Sequence, residues 1–226
     1  MKKIAYVPIL FLILILVIEV NAQGQFVGSV NSNKYHYPSC DSVEQIAEEN
    51  RIWFTSPEDA TSQGYIPCKS CNPPFVDKIS VYVDYVIDGD TFDTSKGARI
   101  RLADINAPNS TETGYIESKN YLASLVENKW VIIDVDNVTM TDTYDNRLVC
   151  LVYLQHNSTH HLNVNQALLN EGHAIIWDWT NNEFEPLTWE LYYSTEAIPE
   201  GLTFAVMALL TTVSMLVGYK YFIKRK

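Results

Sequence analysis

Four potential metal ligands lie in two close pairs near the N-terminus. Three residues separate His36 from Cys40, and two separate Cys68 from Cys71. Structural zinc sites take four nitrogen or sulfur ligands in a tetrahedron, and two short ligand pairs supply such a set. For a chain outside the cytosol the alternative is a disulfide. Three local cysteines are an odd number, however. Pairing two of them leaves a lone thiol or a bridge to Cys150, so the pattern favours zinc.

A second set of reactive side chains follows further along the chain. Asp88 and Asp90 flank a glycine at the end of one predicted strand, Arg101 lies in the next, and Arg147 precedes a later one. Carboxylates at a tight turn offer oxygen ligands to a hard cation such as Ca²⁺. Two guanidinium groups from different strands can bracket a phosphate. These are parts of a phosphodiester hydrolase, although an ordinary turn and a surface arginine explain the same residues.

The hydrophobic pattern predicts the elements that must position these side chains. Alternating and β-branched runs predict strands, and apolar residues at helical spacing predict helices. The strands are predicted over 79–92, 99–105, 130–135 and 148–154, and the helices over 114–126 and 164–169. Upstream, Ser56 and Pro57 have the types that begin a short helix. Strands, a helix, strands and a short helix predict an α+β fold or a small barrel.

Both chain ends carry apolar runs beside basic residues. Residues 1–22 have two lysines, then an apolar run, then a small residue of the type found at cleavage sites. This pattern predicts a signal peptide or an uncleaved N-terminal anchor. Residues 202–219 are uncharged, span about 27 Å as a helix at ~1.5 Å per residue, and precede a basic tail at 220–226. This predicts a transmembrane helix with a cytoplasmic C-terminus. We therefore expect a cell-membrane protein with its main domains extracellular, which crosses once, or twice if the N-terminal segment is kept.

The charge balance excludes a protein that coats nucleic acid electrostatically. The chain has 16 basic and 27 acidic residues, and six of the basic ones lie at the two ends. A polyanionic substrate would therefore need a few local cations or a metal. Three N-x-[ST] sequons, at Asn109, Asn137 and Asn157, permit glycosylation of an exported chain.

Other reactive or bulky residues have structural interpretations. Cys150 is expected to be a buried free thiol. The histidines near Asn157 are expected in a solvated loop; they are His156, His160 and His161. The tryptophans are interpreted as core or interface residues; they are Trp53, Trp130, Trp177, Trp179 and Trp189.

Three stretches of the N-terminal segment, Phe26–Cys40, Asn50–Phe54 and Gly64–Cys71, resemble the metal-binding domain of the Ada DNA-repair protein. That family binds zinc with four cysteines, and the first accepts a methyl group from DNA phosphotriesters. Here His36 takes the place of that cysteine, and an imidazole ligates zinc but is not a methyl-accepting thiolate. The resemblance implies a zinc-binding domain over residues 26–74 without the repair activity. Zinc removal is expected to unfold this domain and to leave the rest intact.

The following segment resembles the staphylococcal nuclease (thermonuclease) family. The resemblance rests on five stretches in the family's order: Val86–Phe92, Ile100–Pro108, Gly114–Ser118, Arg147–Tyr153 and Leu162–Leu169. It implies an OB-fold barrel of five strands with helices over residues 79–193. It also implies Ca²⁺-dependent hydrolysis of DNA and RNA phosphodiesters.

The resemblance assigns roles to particular residues. Asp90 matches the first Ca²⁺ carboxylate of the family, and Asp88 is its neighbour in the turn. Arg101 matches the arginine that holds the phosphate. Arg147 matches the arginine that stabilises the transition state, with one extra residue in the loop before it.

Two positions depart from the family's pattern. Asn106 stands at the second Ca²⁺ carboxylate, and Asn109 at the catalytic glutamate. An amide oxygen still ligates Ca²⁺ but brings no charge, and an amide is no general base. We expect Asn106 to complete the calcium site, with Asp104 as a less favoured substitute ligand. Glu112 is the nearest carboxylate that a flexible loop could bring in as the base.

Two functions follow from these observations. The first is an outward-facing, membrane-anchored, Ca²⁺-dependent nuclease that acts on DNA, RNA or both. The alternative is a nuclease-like module that has weakened or lost catalysis and binds nucleic acid or a protein partner. Asn106, Asn109 and the acidic charge motivate the alternative. Zinc is expected to be structural and Ca²⁺ catalytic.

Overall fold

The computed structural model describes residues 24–177 and 181–195. The predicted signal peptide or anchor at 1–22, the transmembrane helix at 202–219 and the basic tail at 220–226 lie outside these residues. Within the described ranges, no helix combines the length and apolar character needed to cross a membrane.

The N-terminal segment is a four-stranded sheet with one short helix. Its elements are β1 (Phe26–Ser29), β2 (Lys34–His36), β3 (Arg51–Phe54), α1 (Pro57–Ser62) and β4 (Ile66–Pro67). The strand order is β3-β1-β2-β4, and β2 pairs with β4 in parallel. The predicted helix start is confirmed, because the Ser56 side chain accepts a hydrogen bond from Asp59 N at 3.1 Å.

The second segment is a closed barrel with two helices. Its strands are β5 (Lys78–Val86), β6 (Thr91–Thr94), β7 (Arg99–Leu102), β8 (Ile105–Asn106), β9 (Trp130–Val135), β10 (Leu148–Gln155), β11 (His160–Asn163), β12 (Ile175–Ile176) and β13 (Tyr192–Ser194). The helices are α2 (Tyr115–Val126) and α3 (Val164–Asn170). Strands follow the order β13-β11-β10-β7-β6-β5-β9, and β9 also pairs with β10. That pairing closes five strands, β5, β6, β7, β9 and β10, into the predicted barrel.

Two predicted strands are each divided by a turn. The run 79–92 becomes β5 and β6, because the chain reverses at Asp88–Asp90. The run 99–105 becomes β7 and β8, because Asp104 takes a left-handed conformation with φ of 53°. Such a backbone is uncommon for a residue other than glycine and cannot continue a strand. Both turns lie beside the residues predicted to do chemistry.

The N-terminal sheet and the barrel share one hydrophobic core. Ile66 of β4 is 4% exposed and packs with the interior residues of the barrel. Ala98, at the tip of the β6–β7 hairpin, is 1% exposed in the same cluster. Thr94 Oγ1 donates a long hydrogen bond to the Ser62 carbonyl at 3.5 Å. The two segments are therefore packed together and not merely joined by a linker.

The burial of single cysteine, histidine and tryptophan side chains agrees with some predictions and not with others. Cys150 is fully buried and free, as predicted, and burial raises the pKa of its thiol. The prediction for His161 is wrong, because it points inward from β11 and is 4% exposed. Trp53 and Trp130 are exposed rather than core residues. Trp179 lies outside the described residues.

Asp134 makes the stability of the barrel depend on pH. It is buried on β9, 3.2 Å from Lys78 Nζ. Burial raises its pKa to about 6, and Lys78 offsets only part of that effect. Because this pKa exceeds the ordinary 3.8, the folded state holds the proton more tightly. The cost of ionising Asp134 is therefore absent below about pH 4, grows as the pH rises to about 6, and persists above it.

We expect Asp134→Asn to raise the free energy of unfolding by about 1–2 kcal/mol at pH 7.5 and to change it little at pH 4. The variant removes a costly charge, and Lys78 stays solvated because its side chain is 33% exposed. Chemical denaturation at both pH values measures the difference. Asp84→Asn, on the exposed side of β5, is the matched control. An equal effect of Asp134→Asn at both pH values would contradict the prediction.

Candidate functional site

The four predicted zinc ligands converge on one point. The ligand atoms of His36, Cys40, Cys68 and Cys71 all lie within 4.8 Å of one another. His36 Nδ1 and Cys71 Sγ are 4.0 Å apart. A tetrahedral zinc with Zn–S bonds of about 2.3 Å places sulfurs roughly 3.8 Å apart, so the set fits the ion. All four cysteines of the chain are free, which agrees with zinc and not with a disulfide.

Local structure explains why these ligands meet. His36 ends β2, and Cys68 follows β4, its parallel neighbour. Cys68 N donates to the Tyr35 carbonyl at 2.9 Å and fixes the ligand beside β2. Asn72 N donates to the Cys68 carbonyl at 2.8 Å and closes the turn that carries Cys71. Backbone pairing therefore brings together two ligands that lie 32 positions apart in the sequence.

The barrel carries the second set of predicted residues around one cavity. This cavity has a volume of about 390 Å³ and opens where β6, β7 and β8 meet the loop before β10. Its lining includes six of the residues singled out from the sequence: Asp88, Asp90, Arg101, Asn106, Asn109 and Arg147. Asp104 lines it too. Glu112 is not in this lining.

Asp90 is held rigidly at the base of the cavity. Its carboxylate accepts hydrogen bonds from Ala107 N at 2.8 Å and Thr91 Oγ1 at 3.0 Å, and lies 3.3 Å from Arg101 Nη2. Burial raises the pKa of Asp90, although the Arg101 guanidinium opposes that shift. Only the ionised carboxylate binds a cation well. Cation binding should therefore weaken at a higher pH than for an exposed aspartate.

The turn that carries Asp88 and Asp90 requires glycine between them. A Cβ on Gly89 would lie 2.0 Å from Ser118 Oγ and 2.6 Å from Ala107 Cβ. Ser118 is buried on α2, and its hydroxyl donates to the His173 carbonyl at 2.7 Å. Helix α2 thus presses directly against the turn and fixes the two carboxylates.

We expect Gly89→Ala to lower the free energy of unfolding by about 1–3 kcal/mol and to weaken Ca²⁺ binding, because the added methyl pushes the turn away from α2. Thermal unfolding and calcium titration by calorimetry measure both effects. Gly97→Ala is the control. Gly97 has φ of 94° and open space around its Cβ position, so it tests backbone strain without crowding. Wild-type Ca²⁺ affinity in Gly89→Ala would refute the role of this contact.

Arg101 is anchored at the cavity by backbone carbonyls. Its side chain is 13% exposed, and Nη2 donates to the Ile105 carbonyl at 2.7 Å. Nη1 donates to the Leu102 carbonyl, and Nη2 also lies 3.4 Å from Asn106 Oδ1. Burial lowers the pKa of Arg101, but an arginine stays charged at physiological pH. The cavity therefore holds a fixed positive charge beside the oxygens of Asp90 and Asn106.

Arg147 reaches the same cavity from a loop that Asp142 organises. Arg147 Nε donates to Asp142 Oδ2 at 2.7 Å, and Nη1 donates to Thr91 Oγ1 at 3.1 Å. Asp142 Oδ1 accepts from the backbone N–H of Arg147 at 3.1 Å. Asn146, in the same loop, has a left-handed backbone with φ of 53°. Tyr144, which is 88% exposed, lies with its ring centre 5.5 Å from the guanidinium carbon.

Some cavity residues were not recognised from the sequence. Trp177 is 54% exposed and lines the cavity, so it is not a core residue. Trp177 is placed there because its backbone N–H donates to the Asp104 carbonyl at 2.9 Å, next to the β8–β12 pairing. Asp142 lies five residues before Arg147, but Asp145 is nearer, so spacing alone does not identify Asp142 as its partner. Nothing local signalled Asp136, which also lines the cavity.

The loop after Pro108 carries Asn109, at the position of the family's glutamate, and Glu112, the candidate base. Asn109 is exposed at the cavity wall, and its N–H donates to Glu112 Oε2 at 2.8 Å. The Glu112 carboxylate therefore lies outside the cavity but next to it. The three sequon asparagines, Asn109, Asn137 and Asn157, are all exposed. The Asn137 side chain is engaged by Glu183.

Comparison with known families gives two matches. Residues 15–74 match the metal-binding domain of Ada, and residues 99–197 match the staphylococcal nuclease homologue family. The two matches, to an Ada-type metal-binding domain and then to a staphylococcal nuclease domain, fall in the order predicted. The second match begins at Arg99, so the turn with Asp88 and Asp90 precedes it. No curated protein matches the chain significantly.

Proposed function

We propose that this chain is a Ca²⁺-dependent nuclease that hydrolyses phosphodiester bonds of DNA, RNA or both. One observation carries the proposal. A single cavity is lined, among other residues, by the side chains of Asp88, Asp90, Asn106, Arg101 and Arg147, which come from separate parts of the barrel. The arginines suit an anionic substrate, and the carboxylates suit a cation that neutralises it.

The oxygen donors suit calcium. Asp88, Asp90 and Asn106 offer carboxylate and amide oxygens at one wall of the cavity, and Ca²⁺ prefers such hard ligands at flexible geometry. Bound there, the ion would supply Lewis-acid polarisation of a phosphate oxygen. Because Asn106 brings no charge, we expect weaker Ca²⁺ binding than with a third carboxylate.

The chain's own residues supply the remaining chemistry. Arg101 and Arg147 bind the phosphate from two sides and stabilise the charge that develops on its oxygens. We propose that Glu112 takes the proton from the attacking water. Its carboxylate is exposed and accepts a hydrogen bond from the Asn109 N–H, so a small loop movement brings it to the cavity. In structures without bound substrate, catalytic hydrogen bonds are often long and shorten only when the substrate binds.

The location and the second metal are also proposals. The predicted signal and transmembrane segments motivate a membrane-anchored protein whose nuclease domain faces outward. Glycans at the sequons would be compatible with their exposure. For zinc, His36, Cys40, Cys68 and Cys71 form the closed four-ligand set of a structural site.

The alternative is a binding module without catalysis. Asn109, which cannot act as a base, lines the cavity where the family has its glutamate. In that case the arginines would hold nucleic acid or another anionic partner.

A nuclease assay on the full chain in detergent tests the proposal. We expect cleavage of single-stranded DNA or RNA at millimolar Ca²⁺ and alkaline pH, and loss of cleavage with a calcium chelator. The Arg147→Ala protein, purified in parallel, controls for contaminating nucleases. No cleavage would overturn the proposal, and retained binding of the same substrates would then support the binding module.

A further inference from the structure

The zinc-binding segment packs against the hairpin formed by β6 and β7. Ile66, the first residue of β4, is buried in the barrel core. A Cβ on Gly64 would lie 3.4 Å from Ala98 Cα, so the two backbones are in close contact. Lys96 Nζ lies 3.4 Å from Asp59 Oδ1 across the same boundary. The tip of the hairpin therefore rests on α1 and β4.

Zinc ligands fix the strand that makes this contact. β4 is only two residues long, and it pairs with β2 through Lys34–Ile66 and Tyr35–Pro67. A parallel pairing this short has little stability of its own. The ligands His36 and Cys68 directly follow these paired residues. Zinc held by these ligands would join the ends of β2 and β4 two residues away from Ile66.

The hairpin in turn carries the residues of the cavity. β6 begins directly after Asp90, and β7 contains Arg101, which is opposite Thr91 in the pairing. Arg99 joins the hairpin to the neighbouring loop, since its Nη1 lies 2.9 Å from Asp145 Oδ2. That loop leads into Arg147. The packing at the hairpin tip is therefore connected through the hairpin to both arginines of the cavity.

Charge disfavours a direct role of the zinc-binding segment in holding substrate. Residues 24–76 carry three basic and six acidic side chains. A nucleic acid would be repelled by such a surface and not drawn to it. Contact with the barrel, and not with substrate, is the function that the packing favours.

We propose that zinc in the N-terminal segment positions the β6–β7 hairpin, so that Ca²⁺-dependent cleavage in the barrel requires a second metal that never touches the substrate. The activity part of this inference rests on the proposed nuclease function. The structural part does not, because it concerns only the order of the hairpin. Zinc loss should then loosen the barrel locally instead of leaving it intact.

Hydrogen exchange of the full chain, followed by mass spectrometry, tests the structural part. In Cys71→Ser, we expect protection of peptides covering residues 91–101 to fall by more than about tenfold. Peptides from the β9–β10 pairing, on another part of the barrel, serve as the internal reference. Ser70→Ala is the matched control, because Ser70 is exposed and its side chain is no ligand. Unchanged hairpin exchange in zinc-free protein, with zinc content verified by metal analysis, would overturn the proposal.

A second variant separates zinc itself from the contact that it supports. Ile66→Ser should keep stoichiometric zinc and still lose hairpin protection. If Cys71→Ser does not fold, wild-type protein treated with a nitrogen-donor chelator selective for Zn²⁺ over Ca²⁺ provides the zinc-free state. Cleavage measured on the same samples should fall with hairpin protection. A wild-type protein without any cleavage would refute the nuclease function. The hydrogen-exchange result would still decide whether zinc supports the hairpin. Failure of the one claim can therefore be told from failure of the other.

Discussion

Arg101→Ala is expected to reduce the cleavage rate by roughly 10²–10³-fold at saturating Ca²⁺. Arg101 is held by two carbonyls and lies 3.3 Å from Asp90, so its charge is already aimed at the cavity before substrate arrives. Fixed charges of this kind act on the charge that develops on the phosphate. The loss should therefore appear mainly in kcat and less in KM.

The same substitution should change the pH dependence. Arg101 holds down the pKa of Asp90, which burial raises. Without the guanidinium, that pKa rises further, and the activity that remains should be lost at a higher pH on acidification. Lys129→Ala, which removes a positive charge from a residue that does not line the cavity, is the control. A variant with wild-type kcat and a pH profile like that of the wild type would show that Arg101 has only a structural role.

Asn109→Glu is expected to raise the cleavage rate by about 10²-fold or more, within the ~10²–10⁴ usual for a general base. Asn109 lines the cavity, whereas the Glu112 carboxylate lies outside it. Asp90 and both arginines are already in place, so proton abstraction is the deficient step. In the Asn109→Glu background, Glu112→Gln should therefore reduce the cleavage rate less than it does in the wild-type background.

The control for this prediction is Asn109→Gln. It removes the sequon just as Asn109→Glu does, and it matches glutamate in length without providing a base. Glu112→Gln in the wild-type background should lower the rate by roughly 10²–10⁴-fold if Glu112 acts as the base. Equal rates for Asn109→Glu and Asn109→Gln would show that position 109 does not limit the reaction.

Much of the fold follows from local sequence patterns. The β-branched run in β9 and the helical spacing in α2 are short-range features, and both elements form where they are predicted. The Ser56 cap and the buried thiol of Cys150 are likewise local consequences of residue type. At 79–92 the turn at Asp88–Asp90 was recognised, but the division of the run into β5 and β6 was not predicted. Ser118 on α2 presses on Gly89, and no pattern within the strand reports that contact.

The sequence by itself determined the zinc ligand set, the carboxylate turn and the two arginines, because each depends on residue types at short spacing. Only the tertiary structure decided how these parts are connected. Ile66 enters the core of the barrel, Trp177 reaches the cavity wall, and Asp142 holds Arg147 there. These contacts join strands and loops that are distant along the chain. Periodicity describes which face of an element is buried, but not which other element covers it, so the link between the zinc centre and the cavity became visible only in the packed fold.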